Sequence, residues 1–231
     1  SAGNGIDPIL LIDKYGSDAL RFALIREVAG SGQDIRLDFD RKTKTSSTIE
    51  ASRNFANKIW NATKFALINV KCDFRELHLI DDLRELELSD KWILSKLNKT
   101  KIALSQLIKD YKLGEAAKLI YEFVWNDFCD WYVELLKPRF FNKEGQSKKN
   151  AEVILIEILN CIFIMMNPFM PHITEELWHK LNDKSEDELL SNQLWPSIQT
   201  KYIDNELENS FDQLFEIIRL VRNLRAELGL K

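Results

Sequence analysis

The sequence predicts a mainly α protein, an antiparallel helical bundle preceded by a small α/β segment. Three observations carry that expectation. Apolar residues recur every three or four positions through most of residues 46–231. Residues that start and stop helices punctuate those runs. Only one short stretch, Ile35, Leu37 and Phe39 with Arg36 and Asp38 between them, alternates as a strand does. The first forty-odd residues form the small mixed segment, and the pattern after them is helical.

In the first part, Asp7-Pro8 reads as an N-cap followed by proline at the first helical position, and Gly16 as the stop. Ser17 opens a second helix carrying Leu20, Phe22, Ala23, Leu24 and Ile25, and Gly30-Ser31-Gly32 breaks it. Beyond the strand, Ser47 and Glu50 have capping-box spacing ahead of a long periodic segment ending near Val70. Residues 73–88 are acidic and irregular, a connection. A second long helix spans 89–111, and a third starts near Gly114 and is stopped by Pro138. Residues 141–150 read as a polar surface loop.

A fourth helix, 151–166, is apolar on most sides, which predicts the deepest burial. Pro168 and Pro171 end it, and a short helix covers 174–181. Residues 182–205 are mixed and polar, with Trp195-Pro196 as an anchor point. The last helix covers 207–228, with Leu207, Phe211, Leu214, Ile218 and Val221 on one face.

A chain of 231 residues, 45% hydrophobic and 29% charged, can bury a core and is too rich in apolar residues for disorder. Its longest apolar run, residues 161–166, is far too short to span a bilayer, and residues 1–4 have no signal-peptide character. Cys72, Cys129 and Cys161 are odd in number and far apart, as suits buried thiols in a reducing cytoplasm. Neither they nor His78, His172 and His179 have the spacing of a metal site.

Charge gives the functional signal. Residues 41–72 hold seven cations (Arg41, Lys42, Lys44, Arg53, Lys58, Lys64, Lys71) and one acid, Glu50. That is +6 in a chain of net −4, so the remainder carries −10. A basic island in an acidic body points to a local polyanion site. On a helix, Asn54, Asn57, Lys58, Asn61 and Lys64 form one stripe, with Arg53 beside it. Amides match base edges, lysines neutralise phosphates, and a guanidinium does either. Three asparagines in eight residues cost the helix roughly a few tenths of a kcal/mol each. Phe55 faces either a base or the core, and Trp60 is expected in the core beside Ile59 and Ala62. Single polar residues on a helix are ordinarily just a solvated face; it is their alignment, with no acid after Glu50, that argues for a site.

Asp127, Asp130 and Glu134 also share a spacing, but among Trp125, Trp131 and Tyr132 they read as a salt-bridged polar edge. Glu175-Glu176 is placed in a first helical turn, where acids suit the dipole. No catalytic constellation is visible.

Residues 1–4 followed by Ile6-Asp7-Pro8 resemble the end of the KMSKS loop of class I aminoacyl-tRNA synthetases, of which Ser1 would be the final serine. Residues 15–22, Y-G-S-D-A-L-R-F, resemble the element that follows it. Gly32-Gln33-Asp34-Ile35-Arg36, residues 53–61, Asp130-Trp131-Tyr132-Val133-Glu134 with Lys137-Pro138-Arg139, and residues 167–178 are similar to valyl-tRNA synthetases in particular. Asn167 and His172 depart from the commoner residues of that last run.

The resemblance implies a stem-contact segment at 1–45 and a helical anticodon-binding domain at 46–231, part of a monomeric cytoplasmic enzyme that joins valine to tRNA with ATP and Mg2+. The HIGH motif, nucleotide fold and editing domain of that family are not in this sequence, so the chain alone is expected neither to aminoacylate nor to bind a cofactor or metal. Arg36, Arg41, Arg53, Asn54, Phe55, Asn57, Lys58 and Asn61 are the candidate contacts to the anticodon stem-loop, with no DNA or membrane partner. The alternatives are an isoleucyl- or leucyl-tRNA synthetase domain, or a helical scaffold for protein partners.

Overall fold

The computed structural model describes residues 5–27, 37–70, 86–141, 145–185 and 187–229. Its elements are α1 (Pro8–Tyr15), α2 (Ser17–Glu27), α3 (Ser47–Asn69), α4 (Leu88–Lys109) and α5 (Leu113–Glu122). A π-helical segment (Phe123–Tyr132), α6 (Val133–Phe141), α7 (Gln146–Met166), α8 (Pro171–Asn182) and α9 (Asn205–Glu227) follow. Single 3-10 turns at Leu190–Asn192 and Thr200–Tyr202 lie between the last two. The helices form the expected bundle around one large core.

The small α/β character is not confirmed among the described residues. Among the described residues there is no strand, only an isolated bridge between Asp40 and Thr45. Ile35 and Arg36 lie outside those residues, as do Ser1, the Gly30–Gly32 break and most of the acidic connection. Leu37 and Phe39 pack against a cluster of Leu11, Tyr15, Ala19, Leu20, Ala23 and Ile49. An irregular stretch that rests alternate side chains on neighbouring helices shows the same period-two pattern as a strand.

Capping explains how the first helices are placed. Asp7 accepts from the Ile9 N–H at 3.0 Å, and Gly16, at φ 89°, ends α1. The cap of α3 is Ser46, one residue before the Ser47/Glu50 box expected, with its Oγ accepting from the Ile49 N–H at 3.3 Å. Asp38 takes the remaining donors. It accepts from Ser46 Oγ at 3.0 Å, the Ser47 N–H at 2.7 Å, Ser47 Oγ, and the Thr48 N–H at 3.2 Å. Burial would raise the Asp38 carboxyl, but the hydrogen bonds from Ser47 and Thr48 outweigh it and hold it well below the usual carboxylate range.

α2 enters the main core through Phe22, whose ring centroid lies 5.2 Å from that of Phe55 on α3. From the same helix, Asp18 accepts from the N–H groups of His172 (3.4 Å) and Ile173 (2.7 Å). It thereby caps α8, which Pro171 opens three residues before the expected start. Glu175 therefore stands beyond the first turn.

Residues 113–141 run as one continuous rod. Its centre is widened into a π-helix, with the Val133 N–H reaching the Phe128 carbonyl five residues back. Pro138 does not stop it, because the residues beyond are tethered. Arg139 donates to the buried Asp90 carboxylate at 2.7 Å and to the Ser147 carbonyl at 2.5 Å, and Phe140 meets Phe65 edge-on. Tyr132 donates to the same Asp90 oxygen at 2.8 Å. The hold on Ser147 also starts α7 at Gln146, five residues earlier than expected.

α7 is the expected buried helix, with Leu155, Ile158, Leu159, Ile162, Phe163, Met165 and Met166 inaccessible. Burial pushes the thiols of Cys129 and Cys161 up to about 12, so neither is a nucleophile near neutrality. Trp195 anchors its segment by donating to Ser105 Oγ at 2.9 Å. α9 departs from the expected single buried face. Phe211 and Phe215 stack into the core on Trp92 and Trp131, whereas Leu214 and Val221 are exposed.

Asp38→Ala should lower unfolding stability by about 1–2 kcal/mol at pH 7. Because the folded carboxyl lies below its unfolded value, the difference from wild type should shrink as pH falls below about 4. Urea melts of both proteins across pH 3–7 measure it.

Candidate nucleic-acid interface

The candidate surface is built on α3. Ile49, Phe55, Ile59, Ala62 and Ala66 are buried at intervals of three, four and six residues, so one side of the helix faces the core. The opposite edge therefore turns outward. Arg53, Asn54, Asn57, Trp60, Asn61 and Lys64 are all exposed. None of Arg53, Asn54, Asn57, Asn61 and Lys64 makes a side-chain hydrogen bond or ion pair among the described residues. Ahead of the helix, the Asp40–Thr45 turn carries exposed Arg41, Lys42 and Lys44. The Asp40 carboxylate accepts from the N–H groups of Lys42 (2.8 Å) and Thr43 (3.3 Å), and the Lys14 ammonium holds the Lys44 carbonyl at 3.1 Å.

Three expectations about individual residues are corrected. Phe55 is fully buried among Phe22, Tyr121 and Trp125, with centroids 5.2, 4.7 and 6.3 Å away, so it cannot stack on a base. Removing such a side chain typically costs about 3–5 kcal/mol of stability. Trp60, expected inside, is 41% exposed. Lys58 is not a free cation. Its ammonium lies 2.5 Å from Asp130 and 3.7 Å from the centre of the Trp125 ring. That acid comes from the π segment, 72 residues away, so no charge count along α3 could register it. Arg36 lies outside the described residues.

The remaining carboxylates behave as a bridged edge. Asp127 faces Lys96 at 3.6 Å, and Glu134 meets Lys137 at 2.6 Å. Asp127 is mostly buried, and that burial, with repulsion from Asp212 and Glu208, outweighs Lys96 and raises its carboxyl to about 6. On α8, an open groove of about 700 Å³ is lined by His172, Glu175, Glu176 and His179 among others. Glu175 there accepts from the Leu190 N–H at 2.6 Å and pairs with His179 at 3.2 Å. That groove is of mixed character, two glutamates with two histidines, so the candidate polyanion surface remains the cationic edge of α3.

The family model for the anticodon-binding domain of tRNA ligase matches residues 90–231. Valine–tRNA ligase of Prochlorococcus marinus subsp. pastoris strain MED4 is 66% identical over the whole chain, which covers 25% of that protein. The corresponding protein of Synechocystis is 51% identical over the whole chain, covering 26%. The chain thus spans about a quarter of the length of the relatives it matches. These matches do not favour the isoleucyl, leucyl or scaffold alternatives. A solved ternary complex of the Agrobacterium radiobacter K84 agnB2 LeuRS with tRNA and LeuAMS shares the fold, with a TM-score of 0.62 at 18% identity. The likeness covers 87% of this chain and 22% of that one.

Asp127→Asn should stabilise the protein at pH 7 by about 1–3 kcal/mol. The folded carboxyl lies above its unfolded value, so the wild type regains this stability as pH falls through about 6. Thermal melts of both proteins between pH 4 and 8 should converge at the acid end.

Proposed function

We propose, because the chain belongs to the anticodon-binding domain family of tRNA ligases, that it holds the anticodon stem-loop of a valine tRNA as part of a valine–tRNA ligase. The observation that carries this reading is the outward edge of α3, where Arg53, Asn54, Asn57, Asn61 and Lys64 stand exposed and uncommitted among the described residues. Exposed cations fit phosphates, and amides with free donors and acceptors fit the edges of unstacked bases.

In this reading Arg41, Arg53 and Lys64 set the register on the backbone, while Asn54, Asn57 and Asn61 face the bases. Arg36, from the segment before the turn, joins the phosphate contacts. Lys58 contributes little, since Asp130 already compensates it. Residues 1–45 act as the stem contact, and residues 46–231 as the loop-binding domain. In this reading the ligase acts as a monomer in the cytoplasm and engages neither DNA nor a membrane. Among the described residues, no helix is long and apolar enough to cross a bilayer.

ATP and Mg2+ belong to the larger enzyme. Among the described residues, no three acidic, histidine or cysteine side chains gather around one point. No chemical step is assigned to this chain. Its contribution is binding energy and discrimination among tRNAs.

Titration of labelled valine, isoleucine and leucine anticodon stem-loops at two salt concentrations tests the proposal. The valine RNA should bind most tightly, and all three should weaken as salt rises. Lys64→Ala should weaken the three alike and reduce the salt slope by about 1, whereas Asn57→Ala should cost the valine RNA most, about 1–3 kcal/mol. Equal affinities for all three RNAs, unchanged by Asn57→Ala, would contradict base reading by α3.

A further inference from the structure

We infer that Trp60 is the platform on which one unstacked base of the bound loop rests, with Lys64 and Lys180 flanking it as phosphate partners. This rests on the proposed RNA-binding reading and assigns a residue to it.

The inference starts from the position of the indole. Trp60 is 41% exposed, while Trp92, Trp131 and Trp178 are 0, 7 and 4% exposed. Trp125, partly buried, is stacked on Tyr121 and covered by the Lys58 ammonium. Trp195 is 38% exposed, but it lies outside the basic island, on a segment tied down by its N–H to Ser105. Trp60 makes no ring stack among the described residues, and the Lys180 ammonium, 5.9 Å from its centre, leaves the exposed part of the indole open to a planar ligand.

Its surroundings select the ligand. Asn57 and Lys64 lie one turn before and one turn after it, and Arg53 two turns before, on the same exposed edge. The Lys180 ammonium reaches across from α8 to 5.9 Å from the indole centre. Lys180 is held at 3.0 Å by Glu176 in an exposed i,i+4 pair, which a phosphate can displace at little cost. An aromatic face between cations and amides suits a nucleobase with phosphates on either side. An apolar protein helix would bury those cations and amides without partners.

Trp60→Ala, Trp60→Phe and the wild-type chain are titrated with the valine anticodon stem-loop, and with versions carrying an abasic residue at each loop position in turn. Trp60→Ala should bind the intact RNA about tenfold or more weakly, and Trp60→Phe should recover most of the loss. The dependence on log salt should keep its slope in both variants, because stacking releases no counterions. Lys180→Ala should flatten it. At one loop position the abasic RNA should bind wild type and Trp60→Ala equally.

Wild-type affinity in Trp60→Ala would overturn the inference and leave the RNA-binding reading standing. So would a loss that persists undiminished at every abasic position, or one that Trp60→Phe does not relieve while circular dichroism remains native. A wild-type chain that retains no stem-loop at either salt would overturn both.

Discussion

The burial of Phe55 governs what the outer edge of α3 can present. Its ring is locked among Phe22 of α2 and Tyr121 and Trp125 of the central rod, in the middle of the core. Successive helical residues turn by about 100°. Once Phe55, Ile59 and Ala62 point inward, Arg53, Asn57, Trp60 and Lys64 have no choice but to point outward. The Asp38 cap fixes where the helix starts, and with it the register of the whole edge. The electrostatic surface is therefore a by-product of aromatic packing, which resists change because each ring has several partners.

Residues that carry the family resemblance divide into two groups by what they touch. Asp18 caps α8, and Arg21 donates to the Pro168 carbonyl at 3.4 Å, so the Y-G-S-D-A-L-R-F element fastens the run beginning at Asn167. Tyr132 and Arg139 converge on the buried Asp90 carboxylate, which would be costly to bury without them. These motif residues hold helices together. Among the described residues, the motif at 53–61 also offers a row of uncommitted polar groups to solvent. A motif's specificity for a family thus says little, residue by residue, about contact with RNA.

Much of the helical organisation was legible because its signals are local: Asp7-Pro8, Gly16, and the periodicity of α3, α4, α7 and α9. Several failures share a cause, a distant residue that overrides a local signal. Pro138 ought to end a helix, but Arg139 is tied to Asp90 and Ser147. α7 begins early because of the same arginine. Lys58 looked free because Asp130 lies far along the chain. Phe55 and Trp60 are both aromatic, five positions apart on one amphipathic helix, and the sequence alone did not say which faced the core. Of the seven cations of the basic island, Arg53, Lys58 and Lys64 stand on α3, yet two of the side chains expected to act there, Phe55 and Lys58, proved to be committed to the protein itself.

The most direct test of the account is to map where RNA touches the chain. Backbone amide and tryptophan side-chain NMR shifts would be followed on adding the valine anticodon stem-loop. The account predicts that the Trp60 indole N–H and the amides of Asn54, Asn57, Asn61 and Lys64 move together and saturate with one affinity. Shifts concentrated on the exposed apolar edge of α9, around Leu214, Ile217 and Leu224, with α3 unmoved, would contradict it.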